Sequence, residues 1–227
     1  MLYSLETVRD AIRTENGKRV FWLYPGDRLT AAAEDWLKGE GIDLRRRDRA
    51  PQEFTDPWGG KLMGKPEELT HLSGQKLVPK THRRIRFRGQ LDLLEAECLL
   101  CMLHCPHWDR ELEEMLQLCK AIMRADVLEE PIPALQLGGM EEDELRKRSH
   151  YPQNYYRQGH FQPRVTDGES LLRLNRLRTE IRRTELMCAE AFSDRDGLLT
   201  RTDLLRAFNR MSSFCYLLMI REKAKQK

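Results

Sequence analysis

From about Gly89 onward the apolar residues recur at helical spacing, and no other feature constrains the fold of this chain as strongly. The periodicity predicts long helices near residues 90–105, 109–125, 169–192 and 201–223, and a short one near 141–148. Pro106 is read as the end of the first. Asp109 is read as the cap of the second, which is followed by Pro131 and Pro133. Thr200-x-x-Asp203 is read as a capping box for the last. Long helices that each carry one apolar stripe bury it against one another. The expected fold is therefore mainly α: a four- or five-helix bundle with a small N-terminal α/β appendage.

The appendage covers residues 1–48. Arg19–Tyr24 is β-prone and ends at Pro25-Gly26. Thr30 suits the cap of a helix over Ala31–Lys38, closed by Gly39 and Gly41, and Ile42–Arg45 reads as a short returning strand. Arg45–Arg47 reads as a solvated end. Residues 49–76, broken by Pro51, Pro57, Gly59, Gly60, Gly64 and Pro66, read as linker and ordered loop. Residues 77–227 form the bundle domain. Within it, residues 149–168 read as a long ordered loop of functional interest.

Composition excludes several classes. No apolar run reaches 18 residues, so no membrane span is expected. Met1–Asp10 lacks a basic segment followed by an apolar one, so no secretory leader is expected. The 39 basic and 36 acidic residues nearly balance, which argues against a nucleic-acid binder. Six cysteines are too sparse for a disulfide scaffold and point to a reducing, cytoplasmic setting.

Candidate chemistry starts on the third long helix. Wound at 100° per residue, Leu174, Leu177, Ile181, Cys188 and Phe192 form one stripe, with Arg178 and Glu185 on its edge and Arg182 one turn beyond Arg178. Two arginines at i and i+4 repel, so either a salt-bridge network or an anion is expected beside them. On the first helix, Asp92 shares the face of Ala96, Leu99 and Leu103. It reads either as a partner for a bordering arginine or as a carboxylate near a helix N-terminus. The last helix carries Asn209, Ser213 and Tyr216 on a flank away from its Leu204/Phe208/Met211/Cys215/Leu218 stripe. The segment from Leu69 to Asp92 is rich in Lys, Arg, Thr and Gly ahead of an expected helix start, a composition suited to phosphate oxygens, although no Walker A pattern is present. Cys98, Cys101 and Cys105 lie on one helical face with Leu91 and Leu94. They read as packed thiols rather than a soft-metal site.

Three motifs in order resemble the ATP:cob(I)alamin (corrinoid) adenosyltransferases. They are Lys80-x-x-x-Arg84-x-x-x-x-Gly89-x-x-Asp92, Arg178-Thr-Glu-Ile-Arg182-Arg183-Thr-Glu185, and Asn209-Arg-Met-Ser212. The ethanolamine-utilisation type, related to the propanediol-utilisation type, is suggested by Glu68–Leu72, Ile122–Asp126 and Glu142-Asp-Glu-Leu-x-x-x-Ser149-His150. The match spans about residues 66–222. The resemblance implies attack of cob(I)alamin on the 5′-carbon of ATP, with ATP, cobalamin and Mg²⁺ as the bound species. It also implies roles: Thr70 and Lys80 on the triphosphate; Arg178 paired with Asp92, across a subunit interface; Arg182 and Arg183 on triphosphate oxygens; Glu185 holding an arginine or the Mg²⁺ shell; and Asn209 on ATP. Phe161 best matches the aromatic that displaces the lower corrinoid ligand, with Tyr155 and Tyr156 the other rings of that loop.

The resemblance further implies a homo-oligomer, a trimer with sites between subunits, a flavin or flavoprotein reductant for Co(II), and association with a bacterial microcompartment. Two departures stand out. Some ethanolamine-type members resemble one another in a His-plus-Cys-Cys-x-x-Cys metal motif before the bundle, whereas residues 49–76 here contain no cysteine. The family's Asp after its Asn-Arg-Leu-Ser is Ser213 here. A corrinoid-handling protein without catalysis and a helical interaction module that only binds ATP are the other readings that the residues leave open.

Overall fold

The computed structural model describes residues 1–15, 17–46, 53–62 and 64–226; Arg47 and the part of the expected linker at 49–52 lie outside them, as does Met63. The chain divides into two compact units, one of residues 1–54 with 61–64 and one of residues 55–60 with 65–227.

The first unit begins with strand β1 (Leu2–Tyr3), helix α1 (Leu5–Ala11) and strand β2 (Arg13–Glu15), none of which the periodicity revealed. Ser4 caps α1 by accepting from the Thr7 amide at 3.4 Å. Strand β3 (Lys18–Leu23), strand β4 (Arg28–Leu29), helix α2 (Ala31–Gly39) and strand β5 (Asp43–Arg46) follow. Thr30 caps α2 through the Ala33 amide. β5 returns parallel to β3 and β2 runs antiparallel on its other side. Val8, Phe21, Ala33, Leu37 and Ile42 form this unit's core. Short strands β6 (Phe54–Thr55) and β7 (Lys61–Leu62) come next in the chain.

The second unit opens with an antiparallel hairpin of β8 (Leu69–Ser73) and β9 (Lys76–Pro79), turning at Gly74 with φ +51°. This hairpin stands where the sequence predicts irregular loop. Leu69 and Leu72 are buried among polar neighbours that are half-buried or exposed, a pattern too short and irregular to register against the surrounding prolines. Helix α3 runs over Arg83–His104, starting seven residues before the expected point. Gly89 and Asp92 therefore lie inside the helix, and the 83–92 part of the expected phosphate-binding segment Leu69–Asp92 forms its first turns. His82 caps it, its ring nitrogen accepting from the Arg84 amide at 3.2 Å. Helix α4 (Asp109–Leu128) is preceded by a 3₁₀ turn over Pro106–Trp108. Asp109 is its first residue, and no side chain caps it.

A two-stranded hairpin of β10 (Gln136–Leu137) and β11 (Met140–Glu141) turns through Gly138. Its φ is +58°, and a Cβ there would lie 2.6 Å from the Phe214 ring, so only glycine fits. Helices α5 (Glu142–His150) and α6 (Pro152–Tyr156) lead to a 3₁₀ turn at Val165–Asp167, then α7 (Glu169–Phe192) and α8 (Thr202–Ala224). The capping box expected for α8 does not form. Thr200 instead donates its hydroxyl to the Phe192 carbonyl, and Asp203 accepts from Arg201.

α8 is the central helix. It packs on α7, α5 and α6, while α3 packs on α7 and α4. Every residue of the expected α7 and α8 stripes is buried. Phe87 of α3 meets Phe192 and Phe208 edge-on, with ring centroids 5.8 and 6.0 Å away, and knits three helices. The fold is the mainly α bundle with a small α/β part.

Candidate active site

α7 and α8 lie side by side, and residues 157–168 cross beside them. The α7 edge arginines and the α8 polar flank thereby face one cleft of about 550 Å³, lined by Asn175, Arg178, Arg182, Asn209, Tyr216 and Phe161 among others. Four sequence-predicted residues meet there: Arg178, Arg182, Asn209 and Phe161.

The guanidinium of Arg178 lies over the Tyr216 ring, 5.1 Å from its centroid. Its Nε is buried and makes no hydrogen bond. Among the described residues no carboxylate pairs with Arg178 or with Arg182, which is exposed one turn along. Asn209 donates to Glu185 Oε1 at 3.4 Å and accepts from Arg210 at 2.6 Å, which fixes the amide at the cleft edge. Glu185 is a hard oxygen donor beside the cleft, of the kind that suits a Mg²⁺ shell.

Residues 160–161 are anchored by Tyr216. His160 Nε2 is 3.1 Å from the His150 carbonyl and Nδ1 is 3.0 Å from the Tyr216 hydroxyl. A carbonyl only accepts, so in the neutral imidazole Nε2 carries the hydrogen and Nδ1 accepts from Tyr216. The rings of His160 and Phe161 both stack on Tyr216, at interplanar angles of 10° and 19°. Burial pushes the Tyr216 phenol up from its ordinary value. Tyr155, by contrast, is exposed and covered by Arg148, and Tyr156 packs against the core.

The other expected residues stand apart from the cleft. Asp92 is exposed on α3, well inside the helix, and makes no ion pair with Arg178 within one chain. Within the single chain neither reading of Asp92 holds: its face, with Leu99 and Leu103, points outward rather than toward Arg178, and α3 begins at Arg83, well before it. Lys80, also exposed, lies 4.0 Å from Glu67. Thr70 is half-buried on β8, paired with Val78. Arg183 lies 3.9 Å from Glu180, which is buried and bonded to Gln90.

The sequence reading missed Asp126. It is fully buried and accepts from Arg84 Nε at 2.8 Å and Arg88 Nε at 2.6 Å. Arg88 also donates to the His71 and Leu72 carbonyls, tying the β8–β9 hairpin to α3. A usable signal existed: Asp126 follows Ile122 by four residues, in the core phase of α4, so it needed buried cationic partners.

All six cysteines are buried thiols. Cys101 and Cys105 have sulfurs 4.0 Å apart, and burial pushes Cys188 up to about 12. A thiol raised that far, as Cys188 is, makes a poor nucleophile at neutral pH.

The family model for cobalamin adenosyltransferase matches residues 63–222. This chain belongs to the cobalamin adenosyltransferases. It is 34% identical over 208 residues to the corrinoid adenosyltransferase EutT of Salmonella typhimurium, covering 91% of this chain and 78% of that one. It is also 34% identical over 184 residues to the EutT of Escherichia coli K12, covering 81% and 69%. Among solved structures, the fold resembles a variant PduO-type ATP:corrinoid adenosyltransferase from Lactobacillus reuteri complexed with cobalamin and ATP. The TM-score is 0.54 at 19% identity, over 70% of this chain and 91% of that one. For this cobalamin adenosyltransferase the matched region takes in the β8–β9 hairpin and the bundle except the last two residues of α8, and so every candidate site residue.

Proposed function

We propose that this adenosyltransferase moves the 5′-deoxyadenosyl group of ATP to cob(I)alamin, releasing triphosphate. The observation that carries this reading is the cleft where Arg178 and Arg182, one helical turn apart and without carboxylate partners, face Asn209 and Phe161. Two unneutralised cations so close together suit a polyanion rather than a structural network.

The substrate's Co(I) attacks C5′. Its electron pair forms the cobalt–carbon bond while the C5′–O bond breaks, and that pair leaves with triphosphate. Charge grows on the departing oxygens, where Arg178 and Arg182 stabilise it. Asn209 holds ATP, and Arg183, Thr70 and Lys80 contribute further donors to the triphosphate. Glu185, which would hold either an arginine or part of a Mg²⁺ shell, would let a bound Mg²⁺ supply charge neutralisation there. Phe161 presents an apolar ring to the lower corrinoid face. It offers no donor to the cobalt, which favours one-electron reduction of Co(II) by a flavin or flavoprotein.

Asp92, Thr70 and Lys80 complete the site from a neighbouring subunit in a homo-oligomer, a trimer. The exposure of Leu99 and Leu103 beside Asp92 supports this arrangement. The setting is cytoplasmic ethanolamine catabolism, with association to a microcompartment; no helix among the described residues is long and apolar enough to cross a membrane.

The test is to mix the protein anaerobically with chemically reduced cobalamin and ATP. Release of intact triphosphate supports the enzyme. Corrinoid binding without ATP consumption supports the non-catalytic handling protein instead.

A further inference from the structure

We infer that Tyr216 is a positioning residue that couples the two halves of the site, so that an anion at Arg178 seats Phe161. The inference rests on the proposed function, because it assigns Arg178 to the ATP side and Phe161 to the corrinoid side.

One ring touches both halves. The Arg178 guanidinium lies over it, 5.1 Å from the centroid, while Phe161 and His160 stack on it with centroids 6.4 and 5.8 Å away. The Tyr216 hydroxyl adds its hydrogen bond to His160 Nδ1, and His160 holds the His150 carbonyl through its other nitrogen. With Phe161 packed against the core, segment 160–161 is thus attached to the end of α5 through the His150 carbonyl and to the central helix through the Tyr216 side chain. That helix is anchored by a fully buried stripe and gives a fixed reference.

The direction of the coupling follows from the geometry of a guanidinium. Its N–H groups point outward in its plane, and its faces carry no donor. Phosphate oxygens bind at the edge, so they leave the face on Tyr216 in place. Within one chain no carboxylate among the described residues holds the edge of the Arg178 guanidinium and its Nε lacks a hydrogen bond, so the orientation of its plane is left to what binds that edge. An anion that fixes its plane fixes the stack as well, and with it the seat of His160 and Phe161. The two ligands then help each other bind, and linkage makes the help reciprocal.

The test is a binding cycle on the full-length protein. The dissociation constant of cob(II)alamin is measured anaerobically with and without saturating ATP, in wild type, Tyr216→Leu and Tyr216→Phe. Melting curves for each variant check that it is folded. ATP is expected to tighten cob(II)alamin binding at least about 5-fold in wild type, within the usual range for coupled sites. Tyr216→Phe keeps the ring and is expected to keep most of that factor. Tyr216→Leu removes the ring and is expected to bring it within about 2-fold of unity, with ATP affinity measured alone changed by less than about 3-fold. Full coupling in Tyr216→Leu overturns the inference. So does a loss as large in Tyr216→Phe, which moves the role from the ring to the hydroxyl, or a collapse of ATP binding itself in Tyr216→Leu, which makes Tyr216 an ATP contact. Wild type that binds no corrinoid with ATP present overturns the reading of the site, and the coupling falls with it.

Discussion

The arginines Arg178 and Arg182 sit one turn apart, an arrangement that costs stability unless an anion arrives. Arg84 and Arg88, likewise at i and i+4 on α3, show the contrasting solution: the buried carboxylate of Asp126 bridges both, and Glu129 pairs with Arg84 as well. Under the proposed function, that difference distinguishes a structural pair from a pair that binds the triphosphate. Replacing Arg182, which is exposed, with Ala is expected to lower turnover about 100-fold or more while melting changes little, as for other surface positions. Near-normal turnover in that variant would remove Arg182 from the site. Phe161→Ala separates the corrinoid side from the ATP side. ATP affinity is expected to hold, and the four-coordinate Co(II) signal seen by electron paramagnetic resonance with ATP present is expected to weaken. An unchanged spectrum would move the displacing role away from Phe161.

Elements carry these residues with unequal legibility. The stripes on α7 and α8 were readable because 3.6-residue periodicity over more than twenty residues leaves few alternatives. The Arg178/Arg182 edge and the Asn209/Tyr216 flank follow from the same winding. The start of α3 was not readable, since its first turns, Arg83-Arg-Ile-Arg-Phe-Arg88, are mostly charged, and their partner, Asp126 near the C-terminal end of α4, is remote in sequence and half-buries only Arg84 and Arg88. The outward Asp92 face was misread because Leu99 and Leu103 look like core in a sequence, which does not say which of two apolar faces a single chain covers. The α4–α8 junction offers a check on element-level energetics. Arg201 bonds the Ala125 and Glu130 carbonyls and holds Asp203 through two hydrogen bonds, which keeps the Asp203 carboxyl below the usual carboxylate range. With the folded value below the unfolded value of about 3.9, the pair stabilises the fold above about pH 4. That contribution is lost as pH falls through the lowered folded value. Asp203→Asn is therefore expected to melt below wild type at pH 7, with the gap closing as the solution is acidified past about pH 4. A gap that stays constant down to pH 2 would contradict the assignment.

At the scale of the whole molecule, the single chain assembles one half of the proposed site and displays the other half elsewhere. The cleft holds Arg178, Arg182, Asn209 and Phe161, while Thr70, Lys80 and Asp92 lie outside it. The α3 face around Leu99 and Leu103, 55% and 75% exposed, is where a second copy is expected to bind. Leu103→Glu should then yield a folded monomer by sedimentation, with turnover lost alongside assembly; an intact oligomer in that variant would place the interface elsewhere. The claim on which all of this rests is transfer of the adenosyl carbon itself, and it can be followed directly. The protein is incubated anaerobically with reduced cobalamin and ATP labelled at the 5′-carbon, and the corrinoid product is weighed by mass spectrometry. The account expects the label in adenosylcobalamin, with one triphosphate formed per labelled corrinoid. Label left in ATP or ADP, or phosphate released in place of triphosphate, would contradict it.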